Sequence, residues 1–213
     1  MDEIERLIAG YASYRDEEFA PQADFYRHLV EDGQKPRIAM VACSDSRVEP
    51  TRVLRTRPGE VFMIRNVANL VPPFEEQGTF HGTSAALEFA VCGLEVKHIV
   101  VFGHAHCGGI KALINRETEE GCGLHFVPSW MSQVETAHRR VLATLPDAGP
   151  EERQRACEKN AILVSLENLT TFPWVRERVE AGQLRLHGWY FDLKAGHLMR
   201  YDPETTTFVP ALP

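Results

Sequence analysis

Two short apolar runs, Ile38-Ala39-Met40-Val41-Ala42 and Ile99-Val100-Val101-Phe102, each stop abruptly at a cluster of polar, reactive residues. A continuous apolar run of this length, bounded by turn signals, reads as a strand buried on both faces. Between the two, Pro58-Gly59-Glu60 marks a turn into Val61-Phe62-Met63-Ile64, a further apolar run that ends in Arg65-Asn66. From Gly82 the stretch Thr83 to Val91 carries a capping residue and strong helix formers, and Ile110 to Ile114 is again helical in pattern. Strand and helix alternating in this order predict an α/β fold: a mainly parallel β-sheet flanked by helices. In such sheets ligands gather beyond the carboxyl ends of the strands. Both polar clusters, Cys43-Ser44-Asp45-Ser46-Arg47 and Gly103-His104-Ala105-His106-Cys107-Gly108-Gly109, lie at such ends.

The rest of the chain fits one domain spanning residues 1–213. Residues 1–33 read as a helical arm of two helices separated at Ala20-Pro21-Gln22, without an obvious core of its own. Residues 151–170 read as a long helix stopped near Phe172-Pro173, and Leu184–Leu193, Lys194-Ala195-Gly196 and His197–Tyr201 read as a closing hairpin. At 44% hydrophobic and 25% charged residues the chain should form a full core. A net charge of −7 argues against nucleic acid and anionic membranes as partners, since both select clustered Lys and Arg. The acidic start, Met1-Asp2-Glu3-Ile4-Glu5, is unlike a secretory signal, and no apolar stretch approaches the ~20 residues needed to span a bilayer. Five cysteines, an odd number in a chain this large, point to reduced thiols and a cytoplasmic location.

Chemistry concentrates at the strand ends. Cys43 follows one strand, and His104 with Cys107 follows another. Two thiolates and an imidazole are a donor set suited to zinc. Three protein ligands leave a fourth position open, as in catalytic zinc sites, whereas a structural site is closed by a fourth residue. Asp45, His106 and Cys122 are the candidates for closing it, Asp45 foremost because it stands two residues from Cys43. The competing reading makes the cysteines buried thiols and His104 a satisfied core histidine. Asp45 and Arg47 could be a solvated pair. Beside a metal-held water, the carboxylate could instead accept its hydrogen while the guanidinium fixes the carboxylate and keeps it off the metal. Gly108-Gly109 could serve a tight entry into a helix, or could expose backbone N–H groups to an anion.

With these residues in place the sequence resembles the β class of carbonic anhydrases, in its plant-like, non-allosteric subset. The resemblance runs over roughly residues 25–202. It includes Pro58-Gly59-Glu60-Val61-Phe62, Arg65 through Pro73, the Ala85–Val91 helix and Leu186-His187-Gly188-Trp189-Tyr190-Phe191-Asp192. It implies Cys43, His104 and Cys107 as ligands of one zinc ion per subunit, Asp45 and Arg47 as the pair beside the metal, and Asp45 as a ligand only in a closed state. Gln34 would reach the substrate across a subunit boundary, Phe62, Val67 and Phe89 would line an apolar pocket, and Gly108 would contact the substrate. The arm would pack on a neighbouring subunit, giving a dimer or tetramer. Phe89 replaces a tyrosine frequent in plant-like members. Met40, Arg65 and Phe191 stand where the regulated bacterial subset uses tryptophan, arginine and tyrosine to hold inhibitory bicarbonate, so only the arginine of that site remains.

The implied activity is zinc-dependent reversible hydration of carbon dioxide to bicarbonate and a proton by attack of metal-bound hydroxide, a carbonate dehydratase reaction. Two thiolates weaken the Lewis acidity of the metal, so activity is expected to rise toward mildly alkaline pH. His81, His106 and His125 are candidate proton carriers. The rival readings are a carbon disulfide or carbonyl sulfide hydrolase using the same chemistry, and a non-catalytic zinc protein closed by Asp45.

Overall fold

The computed structural model describes residues 1–77, 81–115 and 124–212. They divide into two compact units, residues 1–35 and 36–213. In the first, α1 (Glu3–Tyr14) begins at a reciprocal cap: Asp2 accepts from the Glu5 N–H at 2.7 Å, and the Glu5 carboxylate accepts from the Asp2 N–H at 2.9 Å. A π-helical turn (Arg15–Phe19) and a 3-10 turn (Ala20–Gln22) lead into α2 (Ala23–Glu31), with Pro21 at the break. Tyr14 and Tyr26 join through their hydroxyls at 2.9 Å, and the Phe19 ring stacks against Tyr26. Ile4, Leu7, Ile8 and Tyr11, at helical spacing on α1, are all exposed.

The second unit is built on a six-stranded sheet. Its elements are β1 (Ile38–Cys43), α3 (Pro50–Leu54), β2 (Val61–Asn66), α4 (Gly82–Glu88), β3 (His98–His104) and α5 (Gly108–Asn115). Then follow α6 (Phe126–Ser132), α7 (Glu135–Thr144), α8 (Pro150–Leu169), α9 (Pro173–Glu180), β4 (Arg185–Asp192), β5 (His197–Asp202) and β6 (Thr207–Pro210). The strand order is β2-β1-β3-β4-β5-β6. The first four strands run parallel, and β5 and β6 are added antiparallel. The chain leaves β1 toward β2 on one side and returns to β3 on the other. The carboxyl ends of β1 and β3 therefore flank the point where the winding reverses, which in open α/β sheets is the place for a ligand crevice.

One face of the sheet is closed by helices. Ala39, Val41, Ile99 and Val101 pack there with Leu87, Ala90, Ile162, Leu169 and Val175 in one buried cluster. α8 comes close because Gly103 and Gly188 leave room for Ile162, whose side-chain carbons would lie 2.7 and 2.9 Å from a Cβ at those positions. On the other face Met40, Ala42, Val100 and Phe102 are buried, but Met63, Trp189, Phe191 and Leu198 around them are only partly covered. The predicted strands, the long helix and the closing hairpin are present. The structure adds α3, α6, α7, α9 and β6, which the residue pattern did not announce.

Candidate metal centre

Cys43 ends β1, His104 ends β3, and Cys107 sits in the turn that opens α5. The parallel pairing of β1 with β3, in register to Ala42 and Phe102, brings these ends side by side. One ligand atom from each of the three residues lies within 4.8 Å of the other two, and all three residues are buried. Around a tetrahedral zinc with Zn–S near 2.3 Å, ligand atoms stand about 3.8 Å apart, so small side-chain adjustments would seat the ion.

The imidazole supplies the decisive detail. Its Nδ1 lies 2.8 Å from the Ala105 carbonyl oxygen, to which it donates, leaving the Nε2 lone pair as the free acceptor. That Nε2 is buried and has no hydrogen-bond partner. An unsatisfied buried acceptor costs about 1–3 kcal/mol, a cost that a metal ion at this nitrogen removes. The thiols are poised in the same way. The closeness of the Cys107 thiol lowers the pKa of Cys43, with His104 helping against burial, while the same closeness and burial push Cys107 upward. The Ala68 N–H also points at Cys43 Sγ, at 3.3 Å, from a left-handed backbone with φ of 65°. The donor set therefore fits zinc.

Asp45 is gripped by Arg47 through a fork, Nε to Oδ1 at 2.9 Å and Nη2 to Oδ2 at 2.7 Å, reinforced by the Arg47 N–H at 3.0 Å. That grip holds its carboxyl well below the usual carboxylate range. Asp45 Oδ2 stands 3.9 Å from His104 Nε2, beside the cluster with both oxygens engaged by the arginine. Arg47 also donates to the His106 carbonyl at 2.9 Å and so joins the loops after β1 and β3. The Arg65 guanidinium is occupied by the chain itself. It donates to the carbonyls of Cys43 (2.7 Å), Asp45 (3.2 Å) and Val48 (2.6 Å), and to Glu49 Oε2 (2.8 Å).

The remaining expected residues are less uniform. Phe62 and Phe89 pack together with ring centroids 5.8 Å apart, and Phe89 is 50% exposed. Val67, 39% exposed, instead borders a cavity of about 350 Å³ shared with Asn66, Gly82, Thr83, Phe126, Val127 and Trp130. Gly108 faces open space, whereas a Cβ at Gly109 would meet Val67, Ala68 and Met131. Gln34 belongs to the unit of residues 1–35. His81, His106 and His125 are exposed. Cys122 lies outside the described residues.

Sequence reasoning missed Glu158 altogether. It sits on α8, 3% exposed, and accepts hydrogen bonds from the Cys107 N–H, the Tyr190 hydroxyl and the Gln154 amide. Burial pushes its carboxyl upward against those three donors. A single acidic residue on the face formed by Cys157, Ala161, Ile162 and Ser165 was the available signal.

Residues 38–198 match the family model described as carbonic anhydrase. The chain belongs to the β class of the carbonic anhydrase family. It is 36% identical, over 90% of its length, to "Beta carbonic anhydrase 6, mitochondrial" of Arabidopsis thaliana, and it spans 65% of that protein, just under two thirds. The solved β-carbonic anhydrase CcaA superimposes with a TM-score of 0.92 at 34% identity, covering 99% of this chain and 92% of that one. One of two tetrameric β-carbonic anhydrases of Sordaria macrospora superimposes with a TM-score of 0.72 at 30% identity, covering 92% of each chain. Zinc is the metal of β-carbonic anhydrases, and Cys43, His104 and Cys107 are the residues that fit it here.

Proposed function

We propose that the chain catalyses the reversible hydration of carbon dioxide to bicarbonate and a proton, with one zinc ion per subunit held by Cys43, His104 and Cys107. The buried, unpartnered Nε2 of His104 between two thiols, with Asp45 turned onto Arg47, carries this reading. Zinc bound there supplies a Lewis acid that brings the pKa of water from 15.7 toward about 7.

The chain's own groups do the rest. Asp45 accepts a hydrogen bond from the attacking oxygen and aims its lone pair at the substrate carbon. Arg47 prevents Asp45 from swinging onto the metal, which favours a catalytic site over a closed structural one. Phe62, Val67 and Phe89 offer apolar walls to a small nonpolar gas. Gly108, at the start of α5, would offer its backbone N–H to the anionic product. Gln34 donates to a substrate oxygen from a neighbouring subunit. The proton leaves through one of His81, His106 and His125.

Self-association into a dimer or tetramer is supported by the exposed apolar stripe of α1 and the partly covered sheet face around Trp189 and Phe191. The S. macrospora relative, described as tetrameric, points the same way. No described helix is long and apolar enough to cross a membrane. A cytoplasmic location would keep the ligand thiols reduced; the compartment named for the Arabidopsis relative, the mitochondrion, is the alternative.

Stopped-flow hydration of carbon dioxide by the zinc-loaded protein tests the proposal. Cys107→Ser should lose both zinc and rate. Asp45→Asn should keep zinc and lose about 10²-fold or more in kcat. A zinc-loaded wild-type protein that does not accelerate hydration would refute the reading, and faster turnover of carbonyl sulfide or carbon disulfide would redirect it.

A further inference from the structure

Each ligand of the metal centre is held from behind. Cys43 is fixed by Arg65 on its carbonyl and by the Ala68 N–H on its sulfur, and His104 by the Ala105 carbonyl. Cys107 lies in a turn, where no strand pairing holds it. Its N–H donates to Glu158 Oε1 at 2.9 Å, and its carbonyl accepts from Lys111 N at 3.0 Å and from Gln154 Nε2 at 3.5 Å. Glu158 is itself fixed from two sides, by the Tyr190 hydroxyl from β4 at 2.8 Å and by Gln154 one turn earlier on α8 at 3.0 Å.

A carboxylate buried to this degree is expensive to desolvate, and an apolar residue of similar volume would serve packing at least as well. Its geometry gives it another task. By joining the peptide of Cys107 to α8 and β4, it stops that peptide from pivoting and so fixes the direction of the thiolate. We infer that Glu158 is a positioning residue for the metal centre, acting through the Cys107 peptide with Tyr190 as its brace. The inference rests on the zinc reading above. It adds that metal affinity and ligand geometry depend on a residue that is not itself a ligand.

Chelator competition for zinc, and the absorption bands of the cobalt-substituted protein, test it without reference to turnover. Glu158→Ala should bind zinc about 10–100-fold more weakly and shift the thiolate-to-cobalt charge-transfer band. Glu158→Gln keeps an acceptor for the Cys107 N–H and presents an N–H to the Tyr190 oxygen, so it should restore affinity to within about threefold of wild type. Tyr190→Phe, which removes the brace and leaves the carboxylate, should fall between the two. It decides the matter should Glu158→Ala not fold. Wild-type affinity and an unshifted band in Glu158→Ala, or in Tyr190→Phe where the former is unfolded, would overturn the inference even if the melting temperature dropped. So would a Glu158→Gln variant as impaired as Glu158→Ala. Failure of the wild type to take up zinc stoichiometrically would instead refute the metal reading itself.

Discussion

A methyl group added at Gly109 would stand 3.0 Å from Val67 Cγ1, 3.1 Å from Ala68 Cβ and 3.2 Å from Met131 Sδ, whereas one added at Gly108 would meet nothing within 4 Å. Gly109→Ala is therefore expected to cost about 1–3 kcal/mol through overpacking, and Gly108→Ala to stay within about 0.5 kcal/mol of wild type, both read from urea unfolding. The Gly-Gly pair was legible in the sequence as a tight turn or an anion cradle. Which glycine packing requires depends on the approach of Ala68 and Met131, residues distant in the chain. Arg65 teaches a similar lesson. The resemblance put it at the one position left of an anion site whose other residues are missing here, and its donors turn inward to the loop that carries Cys43 and Asp45. Arg65→Gln should lower stability by about 1.5–3 kcal/mol in the same assay and reduce the hydration rate by loosening Asp45.

At the level of elements, β3 and β4 meet through a pair of imidazoles, His98 Nδ1 lying 3.1 Å from His187 Nε2. Burial lowers the pKa of His187, and the charges of His98 and Arg185 lower it further. The unfolded chain then binds a proton that the folded chain refuses. The stabilisation is complete above the unfolded value near 6.5 and is lost as pH falls through it toward the lower folded value. The melting temperature of His187→Gln should accordingly fall less between pH 7 and pH 5 than that of wild type; equal falls would show that this pair does not govern the acid limb. β1 and β3 were readable because their apolar runs are buried on both faces. Other elements were not. α3 has five residues, β6 has four and ends in Pro210, and β6 buries none of its residues, so periodicity had too little to act on. α6 and α7 follow a segment without apolar spacing to anchor them, and their burial rests mainly on Met131, Ala137 and Val141.

For the whole molecule, the apolar stripe Ile4, Leu7, Ile8 and Tyr11 should make assembly sensitive to charge. Leu7→Glu combined with Tyr11→Glu is expected to reduce the mass found by light scattering from a dimer or tetramer to a monomer, and an unchanged mass would assign the interface elsewhere. The ligand set was legible because cysteine and histidine placed after apolar runs carry their own chemistry. Its supports, Glu158 and Arg65, were hidden because a charged residue declares its partner only through the fold. The wide spacing of the centre along the chain also bears on biogenesis. A growing polypeptide offers one sulfur at residue 43, reaches its other donors only at 104 and 107, and obtains the carboxylate that steadies the last of them at 158. A zinc ion would therefore meet its full donor set only once residue 107 has been made and β3 lies beside β1, and the peptide of Cys107 would be braced only after α8 has been added.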